Sequence, residues 1–239
     1  MKKITVNAYD KSWPKLFEAE RQRILDALGH NVIEVYHVGS TSVPGLAAKP
    51  KIDIIAEVHE TLKTVEQLSH VGYQYRGGWN IPGKYGFTKR GELNFNLHVF
   101  PKNHPEISCN LLFRDYLREN QDVRDTYAAL KQQLAQDPNM MIRNQEALSF
   151  YQYTIEKSAF VEEILDKLGY DVPRLLKPVT KSQRDYIAQN TSEEGAILCL
   201  KGTKICGYAV VSNAIVIHLD PQYEKYRETY LVMIDQFFN

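Results

Sequence analysis

His37-Val38-Gly39-Ser40-Thr41-Ser42-Val43-Pro44-Gly45-Leu46-Ala47-Ala48-Lys49-Pro50-Lys51-Ile52-Asp53-Ile54-Ile55 is the stretch that decides the fold. The β-branched run from Val32 to Val38 predicts a strand that delivers the chain into a Gly-Ser turn. Pro44 and Gly45 then open a short helical turn over Leu46 to Lys49, which Pro50 bounds. Lys51 to Val58 predicts the clearest strand of the chain. Glycine lets the backbone approach a ligand closely, and N–H groups at a helix start attract anions such as phosphate. Asp53 follows on an apolar strand, between Ile52 and Ile54. An unpaired carboxylate there costs several kcal/mol to bury, so it must face a partner or a cleft. A strand carboxylate facing a phosphate-holding loop is how a magnesium-assisted phosphoryl or nucleotidyl site is built. The plain alternatives are a tight turn at Gly39-Ser40 and a salt bridge from Asp53 to Lys49 or Lys51.

Outward from this stretch, apolar Leu16, Phe17, Ile24, Leu25 and Leu28 predict a helix over 13–28 that stops at Gly29. A helix is expected over 61–70, a strand near 73–76, and a Gly- and aromatic-rich loop over 77–86. Phe87 to Arg90 and Leu93 to Phe100 read as a hairpin joined at Gly91, and helices follow over 108–118, 121–135 and 144–168. This is an α/β (α+β) order: a mixed sheet with flanking helices and a helical cap behind it. The reading divides the chain into a first domain over 1–172, a Pro-punctuated linker over 173–179 and a small α/β unit over 180–239. That unit holds a helix, strands at 196–201, 205–211 and 214–219, and a last helix at 222–238. At about 60 residues it is marginal alone, so it should pack on the first domain or dimerise.

Lys plus Arg and Asp plus Glu number 29 each, so no net field draws the chain to nucleic acid or an acidic membrane. Cys109, Cys199 and Cys206 are odd in number and lack CxxC spacing, so neither a disulfide framework nor a zinc site is indicated. The start, Met1-Lys2-Lys3-Ile4-Thr5, runs on without an apolar signal core, and no run approaches the roughly 18 apolar residues of a membrane span. The expected address is the reducing cytoplasm.

The 37–55 block resembles the signature of the GrpB family, a branch of the nucleotidyltransferase superfold. Tyr9-Asp10, Trp13-Pro14 and Phe17 resemble that family's opening, as do Leu97-His98-Val99, Leu111 to Arg118, Tyr127, Leu130-Lys131, Tyr153, Lys157 and Phe160 further on. The resemblance spans residues ~4–170 and implies a loop that grips phosphates and strand carboxylates that hold divalent metal. On this sequence it makes Gly39, Ser40, Thr41 and Ser42 the phosphate loop and Asp53 the first Mg²⁺ ligand. Side chains return to one face of a strand every second residue, so the superfold's second carboxylate belongs at Ile55. Glu57 shares that face but lies roughly 13 Å along the strand, too far for a two-metal centre of about 4 Å. The neighbouring stretch Asn94-Phe95-Asn96-Leu97-His98 offers no acid, with His98 or Asn96 as weak stand-ins.

Asn94, Asn96 and His98 alternate along one strand face, which suits a lined pocket or a solvated face. His98 is a candidate weak ligand or proton carrier, and Lys49 a candidate phosphate partner. Arg114 and Arg118 are four apart on a helix, set either for a paired grip on phosphate or for an ion-pair network through Asp115 and Glu119. Lys157, four residues after Tyr153, is a further candidate from the late helix. The hairpin Leu200 to Val210 and the segment Leu219 to Tyr223 resemble a fragment of a GNAT acetyltransferase. The glycine loop that fold uses for acetyl-CoA is missing from Glu224 to Tyr230, so acetyl transfer is not expected. Two functional readings follow. One is a nucleotide- or CoA-type phosphate site, with Mg²⁺-dependent transfer through Asp53. The other is a catalytically silent binding or interaction module.

Overall fold

The computed structural model describes residues 5–148, 150–211 and 214–238. Met1 to Ile4, read above for a signal core, lie outside them. The described chain forms two compact units, one of residues 1–78 and 84–141 and one of 79–83 and 142–239. This division falls after Met141, earlier than the composition boundary at 172.

The first unit opens with α1 (Trp13–Leu28), with Pro14 in its first turn and Trp13, Glu20, Ile24 and Leu28 buried along one stripe. Next come β1 (Val32–Val38), β2 (Lys51–Val58), α2 (Thr64–Ser69), β3 (Gln74–Gly77), β4 (Tyr85–Lys89) and β5 (Asn94–Pro101). The five strands form one mixed sheet in the order β1-β2-β5-β4-β3. Only β2 and β5 run parallel; the β1–β2, β4–β5 and β3–β4 pairs are antiparallel. Helices α3 (Pro105–Glu119) and α4 (Gln121–Gln136) complete the unit.

One face of this sheet is apolar. Ile52, Ile54, Ala56 and Val58 of β2 and Phe95, Leu97 and Val99 of β5 join Phe87, Ile24, Leu28 and Leu68 in a single core. At about 25 cal/mol per Å² of apolar surface, each large side chain there stabilises the fold by about 2 kcal/mol. Alternation then forces the intervening residues, Lys51, Asp53 and Ile55 on β2 and Asn94, Asn96 and His98 on β5, onto the opposite face.

In the second unit, β6 (Arg143–Asn144) and β7 (Phe150–Tyr151) make a short ribbon ahead of α5 (Gln152–Lys167). Then follow β8 (Pro173–Leu176), α6 (Lys181–Asn190), β9 (Ile197–Lys201), β10 (Lys204–Val211), β11 (Ile215–Leu219) and α7 (Arg227–Phe238). The last four strands form an antiparallel sheet in the order β11-β10-β9-β8.

Several local expectations change; the last helix, expected from 222, begins at Arg227 after a 3₁₀ stretch over Pro221–Tyr226. The helical turn placed at 46–49 lies earlier, as a 3₁₀ turn over Ser40–Ser42, because Gly39 takes φ +68° and bends the chain at once. Ala48 is extended and bridges to Asn7. The third helix begins at 152 rather than 144: Leu148 takes φ +54°, and the chain doubles back into the β6–β7 ribbon. Residues 173–176, read as linker, are a strand. Proline is compatible with the first position of an edge strand, and Leu175 and Leu176 are buried. Among the described residues, no helix is long and apolar enough to cross a membrane.

Candidate functional site

Register builds the site. Asp53 on β2 is paired with Val38 on β1 and with Asn96 on β5, and Asn96 is paired with Thr88 on β4. Paired residues share a face, so the polar side chains of three strands collect beside the point where β1 turns into the loop. The loop meets Asp53 there. A Cβ added to Gly39 would lie 2.9 Å from Asp53 Oδ2 and 3.1 Å from its Cβ. Only glycine fits, both for that approach and for its positive φ.

The loop itself is tied down from several sides. Within it, the Ser42 hydroxyl donates to Gly39 O at 2.6 Å, and Thr41 Oγ1 lies 3.1 Å from His37 Nε2. His37 stacks on Phe17, and burial lowers its imidazole to about 4, so it is neutral at pH 7. From α3, Arg114 donates to His37 O at 3.0 Å, and Arg118 donates to Ser42 O through two nitrogens at 3.0 and 2.8 Å. Their remaining donors go to Asp115. From α4, the buried Lys131 reaches Ser40 Oγ at 3.0 Å and Ala47 O at 2.5 Å.

The sequence-derived candidates therefore separate. Gly39, Ser40 and Asp53 come together, with Lys49 beside them. Thr41 and Ser42 are buried, Thr41 spending its hydroxyl on the His37 ring of β1 and Ser42 its own on Gly39 O. Arg114 and Arg118 meet the loop, but as braces for its backbone. Lys157 belongs to the second unit, where its ammonium lies 4.9 Å from the Tyr153 ring. Sequence reasoning missed Lys131 as the loop's anchor. Its signal was a lysine four residues after Tyr127 on the inward face of a helix; it lies over that ring at 4.7 Å.

Around Asp53 the charges are mostly positive. Lys51 Nζ is 3.3 Å from Asp53 Oδ1. Asn96 Nδ2 donates to the same oxygen at 2.9 Å, while Arg90 donates twice to Asn96 Oδ1 at 3.3 Å. Arg90 thereby fixes which way the amide points. Burial alone would raise the Asp53 carboxyl, but the Lys51 charge and the Asn96 hydrogen bond outweigh it and hold it below its ordinary range. Burial and the Lys51 charge lower the Lys49 ammonium to about 8, against the pull of Asp53. His98 is half-buried. Burial, with the Lys84 charge, lowers its imidazole to about 3, and its Nδ1 has no hydrogen-bond partner among the described residues.

A two-metal centre does not fit this donor set. Ile55 is apolar and buried where a second carboxylate is needed. Glu57 is already bound to the Asn103 N–H at 2.8 Å and lies 3.4 Å from the Tyr36 hydroxyl. Asn96 turns a nitrogen, not an oxygen, toward Asp53. Among the described residues no group of three or more His, Cys, Asp or Glu is placed to hold a metal.

A family model described as GrpB protein matches residues 3–167, well over half of the chain. The chain belongs to the GrpB family. Among curated relatives, the UPF0157 protein BH1888 of Halalkalibacterium halodurans is 41% identical over 167 residues, 69% of this chain and 82% of that protein. The solved structure of the conserved protein GrpB from Enterococcus faecalis aligns with a TM-score of 0.57 at 34% identity, covering 69% of this chain and 99% of that one. A more distant relative is the dephospho-CoA kinase of Mycobacterium bovis, 28% identical over 152 residues, which are 51% of this chain and 37% of that protein. The GrpB match takes in the whole Asp53 site and α5, and ends before the β8–β11 sheet.

Proposed function

We propose that this GrpB-family chain binds a phosphate-bearing, nucleotide-like ligand on the polar sheet face beside Gly39 and Asp53. The observation that carries the reading is the convergence of a braced glycine loop with Lys49, Lys51 and Arg90 around one carboxylate. A nucleotidyltransferase-like use of the sheet agrees with it: loop backbone against phosphate, strand side chains against the reacting end. The dephospho-CoA kinase relative suggests a CoA-type nucleotide as a first ligand to try.

A thermal-shift screen of ATP, GTP, CTP, UTP, coenzyme A and dephospho-CoA tests the reading. A ligand at about 100 times its dissociation constant stabilises a fold by about 2.7 kcal/mol, a readable rise in melting temperature. The rise should disappear in Lys51→Glu. If no compound raises the melting temperature, with or without Mg²⁺, the ligand-binding reading fails and an interaction module takes its place. Metal-dependent nucleotidyl transfer is the weaker reading, because Ile55 stands where a second carboxylate is needed and the described residues offer no group of three metal donors. It requires Mg²⁺-dependent turnover that Asp53→Ala abolishes.

A further inference from the structure

The site of the previous section has an unusual charge composition, and the following rests on that site being a phosphate site. Each oxygen of a carboxylate has room for about two partners. On Asp53, Oδ1 already faces the Lys51 ammonium and the Asn96 amide. Oδ2 is packed against Gly39. The Lys51 ammonium, 3.3 Å from Oδ1, and the Asn96 amide thus take up the partners of that oxygen.

The other cations lie close by. Lys49 interacts with both Lys51 and Asp53. Arg90 reaches the same centre through Asn96, and Arg76, which donates to Thr88 Oγ1 at 3.1 Å, adds its charge beside Arg90. Further along the face the charges balance: Lys84 is offset by the buried Glu106 of α3, His98 is neutral, and Glu57 is held by the Asn103 N–H and Tyr36. The Asp53 end therefore gathers Lys49, Lys51, Arg76 and Arg90 against one carboxylate.

We infer that this end of the sheet binds a polyphosphate chain without divalent metal, with Lys51, Lys49 and Arg90 neutralising the charge that metal ions neutralise in a carboxylate-rich transferase site. Asp53 then acts as a positioning residue. It holds Lys51 and, through Asn96, orders Arg90, while the Gly39 loop supplies backbone to the phosphates. Asn96 is the residue that sets the character of the site. An amide can donate to Asp53 and accept from Arg90 at once, and a carboxylate at the same register position cannot donate.

The inference separates sharply from metal-dependent binding. In a metal site, removing the Asp53 charge destroys binding. In a cation site, it removes the one repulsive charge.

The test is isothermal titration of tripolyphosphate and of ATP into the full chain, in metal-stripped buffer and in buffer with Mg²⁺. Folding of every variant is checked by its melting transition. Binding should be at least as tight without metal and should weaken about tenfold in Lys51→Met. Asp53→Asn keeps an oxygen for Lys51 and Asn96 and so keeps the positioning, and with the negative charge gone binding should hold or tighten. Asn96→Asp, which pairs a second carboxylate with Asp53 in register, should weaken metal-free binding about tenfold and bring in dependence on Mg²⁺. Binding seen only with Mg²⁺ and lost in Asp53→Asn overturns this inference while leaving the phosphate site intact. No binding of either probe under either condition overturns both.

Discussion

The two sheets of this chain are built from similar residues and used differently. The first keeps one face for its core and gives the other to Asp53, Asn96 and His98. The second buries both faces. Leu175, Ile197, Cys199, Ala209 and Ile217 pack with Tyr230, Met233 and Ile234 of α7. Leu176, Leu198, Leu200, Tyr208 and Val210 pack with Tyr186 and Ile187 of α6. Even its chemistry-bearing side chain is quenched: burial, with the charge of Cys206, pushes the Cys199 thiol up to about 12. A sheet with two apolar faces has nowhere to hold a polar ligand. The difference teaches that in this chain the residues breaking apolar alternation on a central strand mark the candidate site, and their absence goes with packing on both faces.

The largest effect expected from this contrast is in the second sheet. Tyr230 is fully buried, and its hydroxyl donates to Leu200 O. Tyr230→Ala should cost about 3–5 kcal/mol in urea unfolding, through the cavity and the orphaned carbonyl. Ligand affinity measured on the folded fraction should stay unchanged. A large drop in affinity with little loss of stability would place function in the second sheet and break the comparison.

Acid should act on the first unit. The His37 imidazole, lowered to about 4 by burial, takes up its proton later than the same group in the unfolded chain, near 6.5. Between those values the unfolded state binds more protons, so stability falls as pH falls from 6.5 toward 4 and is full above 6.5. Each step of one in pH across that window removes about 1.4 kcal/mol, so the loss approaches about 3 kcal/mol. His98 adds to it in the same direction. Melting temperatures from about pH 8 to about pH 4 should trace this fall, and His37→Gln should flatten it. An unchanged profile in that variant assigns the acid lability elsewhere.

Much of this was legible in the sequence, for a physical reason. The first half of β2, Lys51-Ile52-Asp53-Ile54, alternates, so Asp53 had to leave the apolar face, and the run Gly39-Ser40 had to be a turn. Ile55 in place of a second carboxylate was equally readable. What escaped was tertiary. The Lys131 anchor joins residues 91 positions apart in the chain. Arg114 and Arg118 share a helix face whether they grip phosphate or brace a backbone, and spacing cannot choose between the two. Residues 173–176 sit in a proline-punctuated stretch that reads as linker, yet Leu175 and Leu176 find a sheet to bury them. The ribbon before α5 is hidden because its turn depends on Leu148 adopting positive φ, which no composition announces.

Lys131→Met sharpens the comparison at intermediate size. Removing the ammonium leaves the Ser40 hydroxyl and the Ala47 carbonyl without that donor in a part-buried place. The methionine side chain fills most of the space, so the stability loss should be about 1–3 kcal/mol, the cost of unsatisfied polar groups. Affinity for ATP should fall more steeply than stability, since the loop at Gly39 loses its brace. Equal and small effects on both would make Lys131 an ordinary core residue.

The smallest effect belongs to the second unit again, at the start of α6. Thr180 Oγ1 accepts the Gln183 N–H at 3.3 Å, and Gln183 Oε1 accepts the Thr180 N–H at 3.1 Å, a reciprocal cap. Thr180→Ala should cost about 1 kcal/mol, read as a small drop in the urea midpoint with unchanged slope. The helix it starts covers one apolar face of the second sheet, so the loss should appear wholly as stability and not as ATP affinity. If affinity moves with it, α6 is contributing to the site, and the division of labour between the two sheets fails at its most sensitive point.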